Sequence, residues 1–298
     1  MAISGNLPKH LEVAARTGVL VAPERPATGW RQVAMEIDLS AASTTFVDLG
    51  GIPYPTQNPQ VVQSIIEKGM TVTPDDWYLT VSISQNLIDD DQTASVYAKF
   101  RSVQEAFDRH LEERVFTVLN AGDSQTYGAA YDGQDFFDSD HADLGADYTT
   151  SQDNEGALAL SLDNFETSHN AAQLFRNDKG KFTNFMYDLL VCHPSLRRTA
   201  AQITGNANAY DTANQEVNPY SGMLKGPLTS PWLDSTAWYL IASSERVKPL
   251  FVAVRKRPTL IDIKFDGQQE DGGLHYFTYH ARNVIGYGDW RLAYQGNS

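Results

Sequence analysis

The 298-residue chain predicts an α+β fold, and three features of the sequence predict it. Residues 89–122 carry the apolar period of one long helix. Short β-branched and aromatic runs, spread through distant parts of the chain, carry the period of strands. Two extended stretches near the start hold too little apolar material for a core of their own and must pack on something else.

Taken in order, residues 1–31 read as an extended arm punctuated by Gly5, Pro8, Gly18, Pro23, Pro26 and Gly29, with one short amphipathic segment from Leu7 to Leu20. The arm is locally basic: Lys9, Arg16, Arg25 and Arg31 against Glu12 and Glu24 give 4 − 2 = +2. Residues 32–88 read as strands and turns. Alternation in residues 31–40 gives a strand, and the three prolines in IPYPTQNPQ mark a loop. Two β-branched runs then flank Pro74-Asp75-Asp76, a turn signal, and predict a long hairpin leading into the helix. An isolated hairpin is marginal in water, so this one is expected to lie on another subunit.

In the long helix Tyr97, Phe100, Val103, Phe107, Leu111, Val115 and Val118 recur in steps of three or four and stack one stripe on one face. Lys99, Arg101, Glu105, Asp108, Glu112 and Glu113 fall opposite. Asp89, Asp90 and Asp91 suit a helix start, where free N–H groups and the dipole favour negative charge, and Gly122 suits a left-handed cap. The rod would be about 45 Å long at 1.5 Å per residue. The heptad is not strict, so it predicts the spine of an elongated domain rather than a coiled-coil arm.

Residues 123–160 are loop-rich. A second helix starts at Ser161 or Asp163 and presents Phe165, Ala172, Leu174 and Phe175. Asn177–Gly180 is a turn, MYDLLVCHP a short strand stopped by Pro194, and SLRRTAAQI a short helix. Residues 204–222 are an Asn/Gly-rich loop. Residues 223–265 hold several short strands, and the aromatic-rich end from His275 gives one strand or a pair, with Tyr287 and Trp290 in the core.

A hydrophobic share of 42% is ordinary for a soluble chain. No stretch approaches the roughly 18 apolar residues that span a bilayer, and the first residues lack a signal-peptide core. The single cysteine, Cys192, rules out an intrachain disulfide and predicts a reducing cytosol. A net charge of −14 argues against a nucleic-acid reader, which needs a basic footprint, but allows a protein that encloses nucleic acid without gripping it.

The best catalytic candidate is YDGQDFFDSDH, whose Asp132, Asp135, Asp138, Asp140 and His141 could hold a divalent metal. Its spacing fits no EF-hand, and the favoured alternative is a loop anchored by its two phenylalanines. Cys192 and His193 are adjacent and so point apart on a strand, which leaves Cys192 a small buried hydrophobe. HExxH, GxSxG, Walker and GxGxxG patterns are absent. Gly286 and Gly288 read as strand kinks or bulges; Arg255-Lys256-Arg257 could meet nucleic acid but reads rather as a solvated edge or an interface ion-pair set. The residues thus give an acidic α+β subunit with no catalytic, cofactor or metal site.

Several stretches, in order, resemble the Mu-like prophage major head subunit family, the gpT-type major capsid proteins: FVDLGGIP at 46–53, VSISQNLIDDDQTASVY at 81–97, VFTVLNAG at 115–122, YDGQDFFDSDH at 131–141, FETSHNAAQLFRNDKG at 165–180, LLVCHPSL at 189–196 and ARNVIGYGDWRLAYQG at 281–296. The resemblance implies the Hong Kong 97-type capsid fold. It makes residues 1–40 an N-terminal arm, 41–84 an extended E-loop hairpin, 85–185 a peripheral domain with the 89–122 spine, 186–245 an axial domain, and 246–298 the return to the peripheral domain. It also implies a non-enzymatic head protein of a tailed double-stranded DNA phage or prophage, building hexamers and pentamers of an icosahedral shell in the bacterial cytoplasm. Expected partners are further copies of the chain, a scaffold protein, a maturation protease, a portal and a decoration protein, with no membrane. Lys68 lies in the hairpin, but nothing marks a cross-linking partner. Arg31, Trp77 and Tyr78 are the expected assembly contacts, since aromatics and arginine are enriched among interface anchors; Trp77 could equally pack on its own chain. The alternatives are an encapsulin-like nanocompartment, a metal-dependent hydrolase or a tail protein.

Overall fold

The computed structural model describes residues 15–16, 29–40, 44–50, 66–90, 93–141, 150–177, 179–205, 218–268 and 273–297, with backbone alone at 44–50, 66–70, 93–98 and 101. Its first strands are β1 (Ala34–Asp38), β2 (Thr44–Gly50), β3 (Ile66–Val72) and β4 (Asp75–Ser84), followed by helices α1 (Gln85–Asp89) and α2 (Thr93–Asn120). Next come β5 (Glu155–Gly156), α3 (Leu162–Gln173), β6 (Leu189–Cys192), α4 (Arg197–Gly205), β7 (Lys225–Thr229) and β8 (Trp238–Ile241). The chain ends with β9 (Leu250–Asp266), β10 (Leu274–Tyr287) and β11 (Ala293–Gly296).

These strands form a four-stranded sheet in the order β1-β9-β10-β4, a five-stranded sheet β5-β11-β8-β6-β7, and the pair β2-β3. In the first sheet β4 alternates: Trp77, Leu79, Val81 and Ile83 face α2, while Asp76, Tyr78, Thr80 and Ser82 face away. Phe100 and Val103 of α2 pack with Ile83, Phe277, Tyr279 and Ala15, the Phe100 and Phe277 rings meeting edge-on at 4.9 Å. Further along α2, Val115, Phe116, Val118 and Leu119 enter the main core. There Phe136 stacks on Tyr287 at 4.8 Å, and Phe137 lies 5.4 Å from Tyr239. Every residue of β6 and β8 is buried, so these central strands read as continuous apolar runs rather than alternations.

The expected elements are present, with corrections. The single helix 89–122 is α1 plus α2. Ser84 caps α1 by accepting from the Leu87 amide; Asp89 and Asp90 fall at and just beyond its end, Asp91 lies outside the described residues, and the first turn of α2 holds no acidic residue. Gly122 does not take a left-handed cap; a Cβ there would lie 2.6 Å from the Phe137 ring, so close approach explains the glycine. Ser161 caps α3 as expected, accepting from the Asn164 amide, but Leu174 is exposed because the helix has ended.

The two runs flanking Pro74 do not pair with each other. β3 pairs antiparallel with β2, Thr44 opposite Val72, and β4 pairs antiparallel with β10. The stretches around 250–257 and 259–265 are one strand, β9, which runs through Pro258. Pro258 is tolerated because the β9–β10 register shifts there and β1 has already ended opposite Val254, so no ladder donor is missed. The end of the expected arm belongs to the body: Trp30 and Val33 are buried and β1 lies in the sheet. Of the amphipathic segment 7–20 only Ala15 and Arg16 are described, as helix, with the Ala15 carbonyl accepting from the Tyr279 hydroxyl. Within 186–245, β6 pairs with β7 and β8, and β8 pairs on its other side with β11.

Candidate assembly surfaces

The β2–β3 pair is hydrogen-bonded to no other strand among the described residues. Its root is anchored: Leu39, just before β2, and Val72, ending β3, are buried against Phe251 and Ala253 of β9, with Met35, Ile37 and Val284 around them. The chain therefore leaves the four-stranded sheet at Leu39 and returns at Val72 through a ribbon of seven paired residues on each side. A two-stranded ribbon is marginal in water by itself.

The three expected contact residues are not brought together. Arg31 precedes β1 and Tyr78 lies on β4, the two opposite edges of the sheet. Arg31 sits 4.6 Å over the Trp30 ring and pairs with Glu36 at 3.5 Å. Trp77 points inward, 4.5 Å from the His110 ring and 4.2 Å from the Arg114 guanidinium, so its indole is engaged by its own spine helix. Arg114 is fixed in turn by Asp75 at 3.3 Å and Asn283 at 3.1 Å.

Tyr78 points outward, is 63% exposed, and stacks on His280 at 4.7 Å. His280 Nδ1 faces the Lys256 ammonium at 3.3 Å, and an ammonium only donates. Nδ1 is thus the acceptor, and Nε2–H donates to Asp76 at 2.7 Å. Thr80 and Thr278 continue this polar outer face. Sequence reasoning named Tyr78 but not Asp76 and Thr80 on the same face, although strict alternation in residues 75–84 was the signal for them.

The acidic loop is a structural knot. His141 and Asp132 are buried, with Nδ1 2.6 Å from Asp132 Oδ2 and Nε2 3.2 Å from Asn154 Oδ1. Asn154 Nδ2 donates to the carbonyls of Phe136 and Trp290, and the His141 ring lies flat on Trp290 at 4.1 Å. Asp138 instead accepts from the Asp140 amide, and no group of three or more candidate ligands gathers among the described residues. Cys192 is buried, and desolvation pushes its thiol up to about 11, away from nucleophilic use. His193 turns outward and accepts from the Ser195 amide. The basic run is spent internally: Arg255 on the Leu39 and Ser40 carbonyls, Lys256 on His280, and Arg257 on Glu36 and Asp38. No helix among the described residues is long and apolar enough to cross a membrane.

The described residues thus give a two-sheet body with a separate two-stranded ribbon, and among them no metal-ligand cluster gathers. Residues 67–295 match the family described as phage capsid protein. The chain belongs to that family and is a major capsid protein of a tailed phage, a structural component of the virion and not an enzyme. Over 283 residues it is 23% identical to the Mu-like prophage FluMu major head subunit of Haemophilus influenzae, covering 94% of this chain and 68% of that protein. The procapsid of bacteriophage JBD30 shares the fold at a TM-score of 0.59 and 20% identity, covering 97% of this chain and 74% of that one. The JBD30 capsid decorated with minor capsid protein trimers gives 0.53 and 22%, covering 78% of this chain and all of that one. The fold is the Hong Kong 97-type expected from the sequence.

Proposed function

We propose that the chain builds hexamers and pentamers of an icosahedral head around double-stranded DNA, each β2–β3 ribbon lying across a neighbouring copy. The observation that carries this reading is the ribbon itself, ordered in register yet hydrogen-bonded to no third strand among the described residues. On this reading the segment before Gly29 is the arm, and the E-loop is the β2–β3 ribbon with its connection. The α2 spine with the four-stranded sheet is the peripheral domain, and β6, α4, β7 and β8 belong to the axial domain. Tyr78 and Arg31 are contact residues at opposite edges, and Trp77 supports Tyr78 from behind. A scaffold protein, a maturation protease, a portal and a decoration protein are the partners such a head takes.

The basic run is occupied within the chain and net charge is −14, so DNA is enclosed rather than bound, its phosphates screened by solution cations. The test is electron microscopy of the purified protein beside a variant in which residues 44–70, the ribbon together with its connection, are replaced by a short turn. Closed shells from the parent and only open capsomers or monomers from the variant are expected. Normal shells from the shortened variant would remove the ribbon from the assembly contacts.

A further inference from the structure

The β1–β9 ladder ends at Asp38 opposite Val254, with one further backbone bond from the Leu39 amide to the Val254 carbonyl. Beyond this point the two strands part. β9 runs on to Asp266 along β10, while the other chain turns off toward β2. The carbonyls of Leu39 and Ser40 lie at the fork, past the last β9 residue that β1 pairs with. Arg255 fills the gap. One nitrogen of its guanidinium donates to the Leu39 carbonyl at 3.0 Å and to the Ser40 carbonyl at 2.6 Å. Two residues on, Arg257 reaches back to Glu36 at 2.6 Å and Asp38 at 3.2 Å, the outward side chains of the same strand. The buried side of the fork is closed by Leu39 and Val72 on Phe251 and Ala253.

We propose that Arg255, seconded by Arg257, is the positioning residue that sets the direction in which the β2–β3 ribbon leaves the body, and so presents it to a second copy of this chain. The apolar contacts hold the root down but, being non-directional, leave the ribbon free to swing. The two N–H groups on that one nitrogen lie in the guanidinium plane and hold both carbonyls in one geometry, whereas a lysine ammonium could donate to both but from a freely rotating head on a flexible stem. The role in assembly rests on the reading of the ribbon as a contact between copies.

The test compares Arg255→Ala, Arg255→Lys and the parent by hydrogen–deuterium exchange on unassembled subunits and by shell yield in electron microscopy. Arg255→Ala is expected to keep the parent melting temperature, because the side chain is exposed. It should also exchange several-fold faster across residues 38–50 and 66–72 and lose most closed shells. Arg255→Lys should fall between the two. Parent-like exchange in Arg255→Ala would overturn the clamp. Faster exchange with undiminished shell yield would instead overturn the use of the ribbon between copies.

Discussion

His141 shows at the scale of one residue why the acidic loop looked catalytic and is not. Both ring nitrogens face acceptors, Asp132 Oδ2 and Asn154 Oδ1, because the Asn154 amide nitrogen is committed to two carbonyls. The His141 and Asp132 side chains are both buried, and their polar atoms are partnered within the chain. Removing one partner strands the other, so His141→Ala is expected to cost about 3–5 kcal/mol. Urea unfolding of the unassembled subunit measures it, and a loss below about 1 kcal/mol would mean that water replaces the imidazole. His169, His110 and His275 behave differently. Burial lowers the pKa of each from 6.5, Arg114 adding to the effect at His110. The unfolded chain then binds protons more readily than the folded one between the depressed values and 6.5. Stability contributed by the neutral rings is present above pH 6.5 and lost as pH falls through that window. The urea midpoint is expected to drop between pH 7 and pH 5, and less in His169→Phe, whose ring suits the surrounding Phe165, Tyr187 and Tyr220. An unchanged midpoint over that range would show that these histidines charge freely in the fold. Their burial was not legible in the sequence, where each is a lone polar residue in an ordinary pattern.

Elements were legible where a local period governs them and illegible where a distant partner does. The apolar stripe of α2 was readable because Phe100, Val103, Val115 and Val118 all meet the core. The break between α1 and α2 was not, because nothing in IDDDQT forbids a helix. The partner of β3 was misjudged for a related reason. Pro74-Asp75 looks like a hairpin turn, yet β4 gains more by laying Leu79, Val81 and Ile83 on α2 within a four-stranded sheet. Trp77 and Tyr78 illustrate the limit: alternation says that they face opposite ways, but only the position of α2 says which is inside. Glycines were legible as special and misread as to cause. A Cβ at Gly286 would lie 2.4 Å from the tip of the Phe251 ring, at the root of the β2–β3 ribbon. Gly286→Ala is thus expected to overpack β9 against β10 and cost about 1–3 kcal/mol, with the thermal midpoint of the subunit as the readout. A neutral result would mean that Phe251 has a second rotamer open to it.

At the scale of the whole molecule the balance is between many small attractions and one long-range repulsion. Each ribbon or edge contact between copies is modest alone, but a shell makes every contact on every copy, so a small change per contact is multiplied across the particle. Opposing it, each subunit carries a formal charge of −14, and neighbouring copies bring these charges together. Exposed charges interact over roughly the Debye length, about 30 Å at 0.01 M salt and about 8 Å at 0.15 M. At low salt that reach is comparable to the length of α2, whose 28 residues span about 42 Å at 1.5 Å each. At physiological salt it shrinks to the width of one contact. Apolar and main-chain contacts, such as the ribbon contact proposed above, are little screened, so salt removes the repulsion and leaves the attraction. Assembly of purified subunits is therefore expected to strengthen between 0.01 M and 0.15 M salt, the concentration for half-assembly falling at least several-fold by light scattering. Lowering the charge by neutralising exposed carboxylates such as Asp140 and Glu113, which lie outside the core, should move the low-salt curve toward the high-salt one. If assembly instead weakened with salt, complementary charge pairs across the interface would dominate, and the contacts would have to be sought among exposed basic residues such as Arg31 and Arg257 rather than in the ribbon.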